Sequence, residues 1–168
     1  MNNDLIILGQ LLLSLFLGSL IGLERQIAQK PAGFRTYALV CLGSTMFTII
    51  SETIALKYKG VSGGLSLDPS RLASQIIVGI GFIGAGVIIF HRSKIYGITT
   101  AASLWVAAAI GMAIGFKLYS LATIATCLVL IVLIIFYFIE QSLNKRLSTT
   151  KSDLPPNKAG FEEPDESI

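Results

Sequence analysis

The stretch Tyr119–Ile139, YSLATIATCLVLIVLIIFYFI, decides the fold class, because its 21 residues carry no charge. An α-helix rises ~1.5 Å per residue, so about 20 residues cross a ~30 Å hydrocarbon core. The stretch also lacks the alternation of apolar and polar residues that strands of a membrane β-barrel show. We therefore predict a transmembrane helix.

Four further apolar runs of similar length precede it, at residues 5–23, 36–56, 72–90 and 98–115. Glu52 is the only charged residue inside any of the five runs. The whole chain agrees with this pattern, since 53% of its 168 residues are hydrophobic and 14% are charged, whereas soluble proteins are roughly a quarter charged. The sequence predicts an all-α membrane protein, a bundle of five transmembrane helices in a domain of residues 1–146.

The two ends of the chain carry their own signals. The first residues contain no Lys or Arg, so they lack the basic region of a cleaved signal peptide, and we expect the first run to be retained as a helix. Residues 140–146 could continue the fifth helix. Residues 147–168 contain three prolines and an acidic cluster, which predicts a disordered cytoplasmic tail and no second folded domain.

The orientation follows from the loops, because cytoplasmic loops carry the excess of Lys and Arg. The loops after helices one, three and five hold nine basic residues, and the other loops hold four. We therefore predict that the amino terminus lies outside and the carboxyl terminus lies in the cytoplasm.

Several function classes have little support. No basic face is interleaved with aromatic residues, so no nucleic-acid partner is predicted. Cys41 and Cys127 both lie inside predicted spans, and their spacing fits neither a disulfide framework nor a zinc site. Residues 79–84, GIGFIG, have the spacing of a dinucleotide-binding turn, but that motif follows a strand and this one lies within a predicted helix. No cofactor is predicted, and no nucleophile, base and orienting group can be assembled for an enzyme.

Small residues mark the expected helix contacts, since close packing replaces the hydrophobic effect as the force between helices in lipid. Gly18 and Gly22 form a Gly-x-x-x-Gly pair on one face of helix one. Helix three carries small residues on two sides, which predicts neighbours on both sides and a central position. Its candidate packing residues are Gly79, Gly81, Gly84 and Gly86. Helix four is rich in Ala and Gly and should also be internal, whereas helix five should face lipid.

A first polar site is predicted at the outer end of helix three. Asp68, Arg71 and Gln75 extend polarity from the outer surface into the bilayer, and such a stripe is a candidate site because polar residues in a span are costly unless they face the bundle interior. Helix capping by Asp68 is an equally good explanation. Asp68 and Glu52 could also bind a divalent cation together with water.

A second polar group is predicted at the cytoplasmic ends of helices one and two, where Glu24, Arg25 and Arg35 lie. A salt bridge that fixes the helix hairpins is the leading explanation, and a proton or ion relay is the alternative. His91 is expected at the interfacial end of helix three and, as a single histidine, not at a metal site.

Several motifs follow one another in a fixed order: Gly18-x-x-x-Gly22-Leu23-Glu24-Arg25-Gln26, Ala32-Gly33-Phe34-Arg35-Thr36 leading to Leu39-Val40-Cys41-Leu42-Gly43-Ser44, Asp68-Pro69-Ser70-Arg71 with Gln75, Gly79-Ile80-Gly81-Phe82-Ile83-Gly84-Ala85-Gly86, and Gly97-Ile98-Thr99-Thr100-Ala101-Ala102-Ser103-Leu104-Trp105. Over residues 10–137 the chain resembles the MgtC/SapB family of bacterial membrane proteins.

The resemblance implies a multi-pass protein of the bacterial inner membrane, linked in some members to growth in low magnesium and to survival inside macrophages. Family members are often labelled magnesium transporters, but the resemblance suggests a regulator of other membrane machinery, including the proton-translocating ATP synthase. Two features depart from the family. The longer members carry a folded cytoplasmic domain at the carboxyl end that is not expected in this sequence, and Tyr96 stands where a basic residue is usual.

The leading expectation is thus a small non-enzymatic modulator of ion or magnesium homeostasis, which contacts the lipid bilayer and either further copies of itself or another membrane protein. The alternative is a transporter or channel for magnesium or another divalent cation. In that case Asp68, Arg71, Gln75 and Glu24 would line the path.

Overall fold

The computed structural model describes residues 3–58, 70–91 and 94–152. These residues form five helices and one two-stranded hairpin: α1 Asn3–Ile27, α2 Phe34–Lys57, α3 Ser70–Val87, β1 Ile89–His91, β2 Lys94–Tyr96, α4 Ile98–Gly115 and α5 Tyr119–Ser152. The five predicted helices are therefore present. Residues up to Leu133 make one compact unit, and the remainder of α5 belongs to a second.

Four of these helices, α1, α2, α4 and α5, are long and apolar enough to cross a membrane. The apolar part of α3 that the structure describes, Ala73–Val87, is shorter and spans about 22 Å at ~1.5 Å per residue. The chain is a multi-pass membrane protein, and the fifth span remains a prediction.

The hairpin changes the predicted end of helix three. α3 ends at Val87, and Ile89 and Phe90, which were expected to be helical, instead pair with Tyr96 and Ile95 across an antiparallel register. The β-branched and aromatic residues on both sides of residues 92–93 favour strands. His91 consequently lies in β1, and its predicted position at the end of a helix was wrong.

The fifth helix is longer than its apolar run. α5 includes residues 140–146, as predicted, and continues to Ser152. Residues 147–152 are thus helical and not part of a disordered tail, because an established helix gains one hydrogen bond for each residue added. The rest of the predicted tail, residues 153–168, lies outside the described residues.

The core lies between α1, α2 and α4. Its largest fully buried side chains include Ile21, Tyr37, Leu104, Ile110 and Ile114. More than half of the apolar window of α4 is buried, compared with 17% for α5. The predicted internal position of helix four is confirmed, and the low burial of α5 agrees with the prediction that helix five faces lipid.

The predicted central position of helix three was wrong. Among its described side chains only Ile80 and Gly84 are buried, while Val78 and Phe82 are well exposed. α3 contacts α4 and α2, and its two buried residues are four positions apart and so lie on one side of the helix. Small residues on several faces permit close neighbours but do not require them.

α2 and α4 lie parallel and in a fixed register. Polar contacts join Tyr37 to Ser103, the Thr45 hydroxyl to the Gly111 carbonyl and Glu52 to Lys117, with sequence separations of 66, 66 and 65 residues. A constant separation means that the two helices run in the same direction and that each contacting residue of α2 lies level with a residue about 66 positions later in the chain. The two helical hairpins therefore have the same orientation.

Residues in the left-handed backbone region end the helices sharply. At the end of α1, Gln29 has φ 55° and the Lys30 N–H donates to the Arg25 carbonyl; at the end of α4, Lys117 has φ 64° and the Leu118 N–H donates to the Ala113 carbonyl. Both patterns are those of a Schellman motif. The connections to the next helices are consequently short.

Gly97, before α4, is the position where glycine is required. Its φ is 89°, and a Cβ atom there would lie 3.0 Å from the Val87 carbonyl carbon and 3.4 Å from Ile88 Cα. Both the conformation and the close approach exclude a side chain. Gly97 thus allows the hairpin to return the chain to α4.

We expect Gly97→Ala to lower the free energy of unfolding by at least ~1–2 kcal/mol, the usual cost of a left-handed L-residue. Unfolding of the purified protein by SDS in mixed micelles measures this. The matched control is Gly81→Ala, because Gly81 is helical and has no atom within 4 Å of an added Cβ. Equal stability of the two variants would contradict the role assigned to Gly97.

Candidate functional site

The crossing of α1 and α2 depends on two glycines. A Cβ atom at Gly18 would lie 2.7 Å from Cys41 Cβ, and one at Gly22 would lie 2.7 Å from Phe34 Cα. No side chain fits at either position, so the backbones touch where Gly-x-x-x-Gly pairs typically bring helices together. The Gln26 side chain also accepts a hydrogen bond from the Phe34 N–H at 3.3 Å. This crossing fixes the position of the residues that follow Gly22.

Glu24 and Arg25 lie just beyond the crossing and are largely enclosed. The Arg25 and Glu24 side chains are only 4% and 13% exposed, and their nearest charged atoms are 3.7 Å apart. That distance makes an ion pair but not a hydrogen bond. Arg25 Nε and Glu24 Oε2 are buried and have no hydrogen-bond partner. The pair is thus compensated in charge but incompletely satisfied in hydrogen bonding.

Tyr37 of α2 connects this pair to α4. Its side chain is fully buried and within electrostatic range of both Arg25 and Glu24. Its hydroxyl group hydrogen-bonds Ser103 and lies 3.4 Å from the Thr100 carbonyl. We call Glu24, Arg25, Tyr37 and Ser103 the polar cluster. It joins three helices at the end of the bundle where α1 ends and α2 and α4 begin.

The opposite end of the bundle is closed by other polar contacts. Gln10 of α1 donates through Nε2 to the Ile114 carbonyl at 2.8 Å and to the Gly115 carbonyl at 3.1 Å. These carbonyls belong to the last turn of α4, where the regular intrahelical hydrogen bonds run out, and the Ile114 carbonyl also accepts from the Lys117 N–H at 2.9 Å. Between the two ends, the Thr45 hydroxyl donates to the Gly111 carbonyl at 2.8 Å. These buried polar side chains between α1, α2 and α4 therefore bind helix backbone.

Glu52 forms a different kind of pair. Both of its carboxylate oxygens bind Lys117 Nζ, at 3.0 and 3.1 Å, and the two side chains are 30% and 50% exposed. Exposed ion pairs of this type contribute ~0–1 kcal/mol. The proposed partner of Glu52 in a cation site, Asp68, lies outside the described residues. Among the described side chains, no three His, Cys, Asp or Glu residues come together.

Arg35 and Gln75 lie on the outside of the bundle. They border a groove of about 640 Å³ between α2, from Arg35 to Phe47, and α3, from Gln75 to Ile83. Both residues are exposed, and Gly43 and Gly79 in the groove wall have no atom within 4 Å of an added Cβ. We call this space the α2–α3 groove.

The structure therefore separates the sequence-predicted site residues. Glu24 and Arg25 join the buried polar cluster, Arg35 and Gln75 border the α2–α3 groove, and Arg71 is exposed near the start of α3. Asp68 is not among the described residues. Of the glycines named for packing, Gly18 and Gly22 face α2. A Cβ atom added at Gly84 would lie 3.5 Å from Ala101 Cβ, whereas one added at Gly79, Gly81 or Gly86 would meet no atom within 4 Å.

Tyr37 and Ser103 were missed by the sequence reasoning. A signal was present, because Tyr37 is the only tyrosine in the first four apolar runs, and a buried tyrosine usually finds a partner for its hydroxyl group. Ser103 gave no comparable signal, since serine is common among the small residues of packed membrane helices.

Comparisons with known proteins identify the relatives of this chain. The family model described as the MgtC family matches residues 11–142. A protein of Haemophilus influenzae is 45% identical over 130 residues, which are 77% of this chain and 55% of the relative. A protein of Escherichia coli strain K12, named "Putative magnesium transporter YhiD", is 44% identical over 122 residues, which are 70% and 54% of the two chains.

Protein MgtC of Salmonella typhimurium is 39% identical over 135 residues, which are 80% of this chain and 54% of the relative. The chain thus spans about half the length of the curated relatives it matches. No solved structure matches it significantly.

The buried ion pair of Glu24 and Arg25 leads to a prediction about the stability of the protein. Glu24→Gln leaves the Arg25 charge enclosed without its counter-charge, and breaking a buried pair in this way costs ~3–5 kcal/mol. We expect the double variant Glu24→Gln with Arg25→Met to be more stable than Glu24→Gln alone, because no isolated charge remains. SDS-induced unfolding of the purified protein measures both.

Lys117→Met is the matched control, since it breaks the more exposed pair with Glu52 and should cost no more than ~1 kcal/mol. A double variant less stable than Glu24→Gln would show that Arg25 is held by partners other than Glu24.

Proposed function

Because the chain belongs to the MgtC family, whose model matches residues 11–142, we propose that it is a non-enzymatic membrane protein that modulates magnesium or ion homeostasis through contacts with itself or with another membrane protein. We place it in the bacterial inner membrane. Family membership and the magnesium-related name of one relative support the link to magnesium.

The observation that carries the modulator proposal is the close packing of α1, α2 and α4 against one another. A Cβ atom at Gly115 would lie 2.5 Å from Thr48 Cβ, and Gly18 touches the α2 backbone. Thr45 and Gln10 direct their hydrogen-bonding groups to α4 carbonyls. Close packing of this kind supports the proposal that the three helices form a rigid body and that the protein acts through its surface.

Transport of a cation is the second candidate. The name of the Escherichia coli relative favours it, and so do the incompletely hydrogen-bonded Glu24 and Arg25. Charged groups within membrane bundles often mark ion paths. In this case Glu24 would lie on the route, whereas Arg71 and Gln75, which the sequence predicts on the same route, are exposed and separate from Glu24 in the structure.

Proteoliposomes that contain only the purified full chain and an enclosed magnesium-sensitive dye test the two candidates. We expect no magnesium flux above that of protein-free liposomes under an inward concentration gradient. In cells, production of the chain should change growth and total cell magnesium under magnesium limitation, measured by mass spectrometry of the metal. Flux without a cellular effect would contradict modulation.

The decisive comparison uses two conservative variants. If the chain alone gives flux that Lys94→Gln preserves and that Glu24→Gln abolishes while remaining folded in the liposomes, the transporter candidate replaces the modulator. Lys94 is a suitable control because it is an exposed cation in β2 and is not a member of the polar cluster.

We also propose that the amino terminus lies outside and the end of α5 lies in the cytoplasm. The uneven distribution of Lys and Arg supports this orientation. Fluorescent protein fused after residue 152 should fluoresce in cells, and alkaline phosphatase fused at the same place should be inactive. The same two reporters fused after residue 117 should give the reverse result, and agreement between the two fusion sites would contradict the topology.

A further inference from the structure

The α2–α3 groove has the dimensions of one membrane leaflet. Its α2 wall runs from Arg35 to Phe47, which is about 18 Å at ~1.5 Å per residue. Half of a ~30 Å hydrocarbon core is ~15 Å. The volume of about 640 Å³ lies within the ~300–1,000 Å³ typical of small-molecule sites.

The groove is amphipathic along its length. Arg35 is exposed and is the second residue of α2, so its guanidinium group lies at one end of the groove. Beyond it the wall is mostly apolar, with Leu39 and Phe47 on α2 and Ile83 on α3. A guanidinium group binds phosphate through two parallel hydrogen bonds, and the positive end of the α2 dipole adds to the attraction. An amphiphile with an anionic head and an apolar tail complements this arrangement.

Two glycines give the groove its depth. Gly43 on α2 and Gly79 on α3 both line it, and an added Cβ at either would meet no atom within 4 Å. A side chain at these positions would occupy the space between the helices. The glycines thus leave room for a chain of methylene groups to lie against both helix backbones.

We propose that the α2–α3 groove binds one anionic phospholipid, with its phosphate on Arg35 and an acyl chain along Gly43 and Gly79. The charge at the groove end and the leaflet-length apolar wall favour a lipid over a second protein helix. The site is independent of the modulator function, because it requires neither magnesium nor a protein partner.

Native mass spectrometry of the full chain in a mild detergent tests the site, with phosphatidylglycerol and phosphatidylcholine of the same acyl chains as probes. We expect phosphatidylglycerol to bind about tenfold more tightly, a difference of ~1.4 kcal/mol. Arg35→Gln should remove this preference, whereas Lys94→Gln should retain it. Equal binding of the two lipids to the unaltered chain, or an unchanged preference in Arg35→Gln, would overturn the proposal.

The acyl part of the site is tested by Gly79→Leu, which fills the groove. This variant should weaken the binding of both lipids about tenfold. The control Gly86→Leu, at an open glycine outside the groove lining, should leave binding unchanged. Equal effects of the two variants would overturn the acyl placement. If Gly79→Leu does not fold, the smaller Gly79→Ala should give a weaker loss in the same direction, and no loss would contradict it.

The competing occupant is a second copy of this chain. Gly79→Cys in a Cys127→Ser background places one exposed thiol in the groove, since Cys41 is buried. We expect monomer after mild oxidation in native membranes. A disulfide-linked dimer would assign the groove to a second copy and overturn the lipid proposal.

Discussion

The close approach of α2 and α4 determines the positions of the other described parts of the bundle. Lipid tails are as apolar as leucine, so helices in a bilayer associate through close packing and polar contacts and not through escape from water. Gly115 against Thr48, and the bond from Thr45 to the Gly111 carbonyl, provide both kinds of contact. Because glycine has no side chain, the two backbones come near enough for a short threonine side chain to reach across. α1 then packs against both helices through Gly18 and Gln10.

This arrangement explains why charge can be held inside the bundle. Gly22 brings α1 onto α2 one half-turn before Glu24, which places Arg25 beside Tyr37. Burial of a guanidinium group in an apolar bundle is unfavourable unless a counter-charge lies close by. The adjacent carboxylate supplies that charge, and the Tyr37 hydroxyl is held in turn by Ser103. The polar cluster therefore depends on glycines that carry no chemistry themselves.

Much of the fold could be predicted from the sequence, because apolar length sets the helices and small residues set their contacts. The hairpin at Ile89–His91 could not, since a continuous apolar run of β-branched residues fits a helix end and a strand equally well. The site was predicted only in part. Glu24 and Arg25 could be recognised as costly charges, but their partner Tyr37 comes from another helix, and one-dimensional patterns do not show contacts between helices. Glycine on several faces of α3 was misleading because it allows close packing without identifying the neighbour.

The fixed register of α2 and α4 also limits how this protein can move. The polar contacts between them are separated by 65 or 66 residues throughout, so a slide of one helix along the other would break all of them at once. We therefore expect these helices, together with α1, to move as one body. α3 touches that body along one side, chiefly through Ile80 and Gly84, and an element with few buried contacts is displaced at lower cost. A conformational change within the described bundle is therefore expected to be a tilt of α3 against a stationary trio.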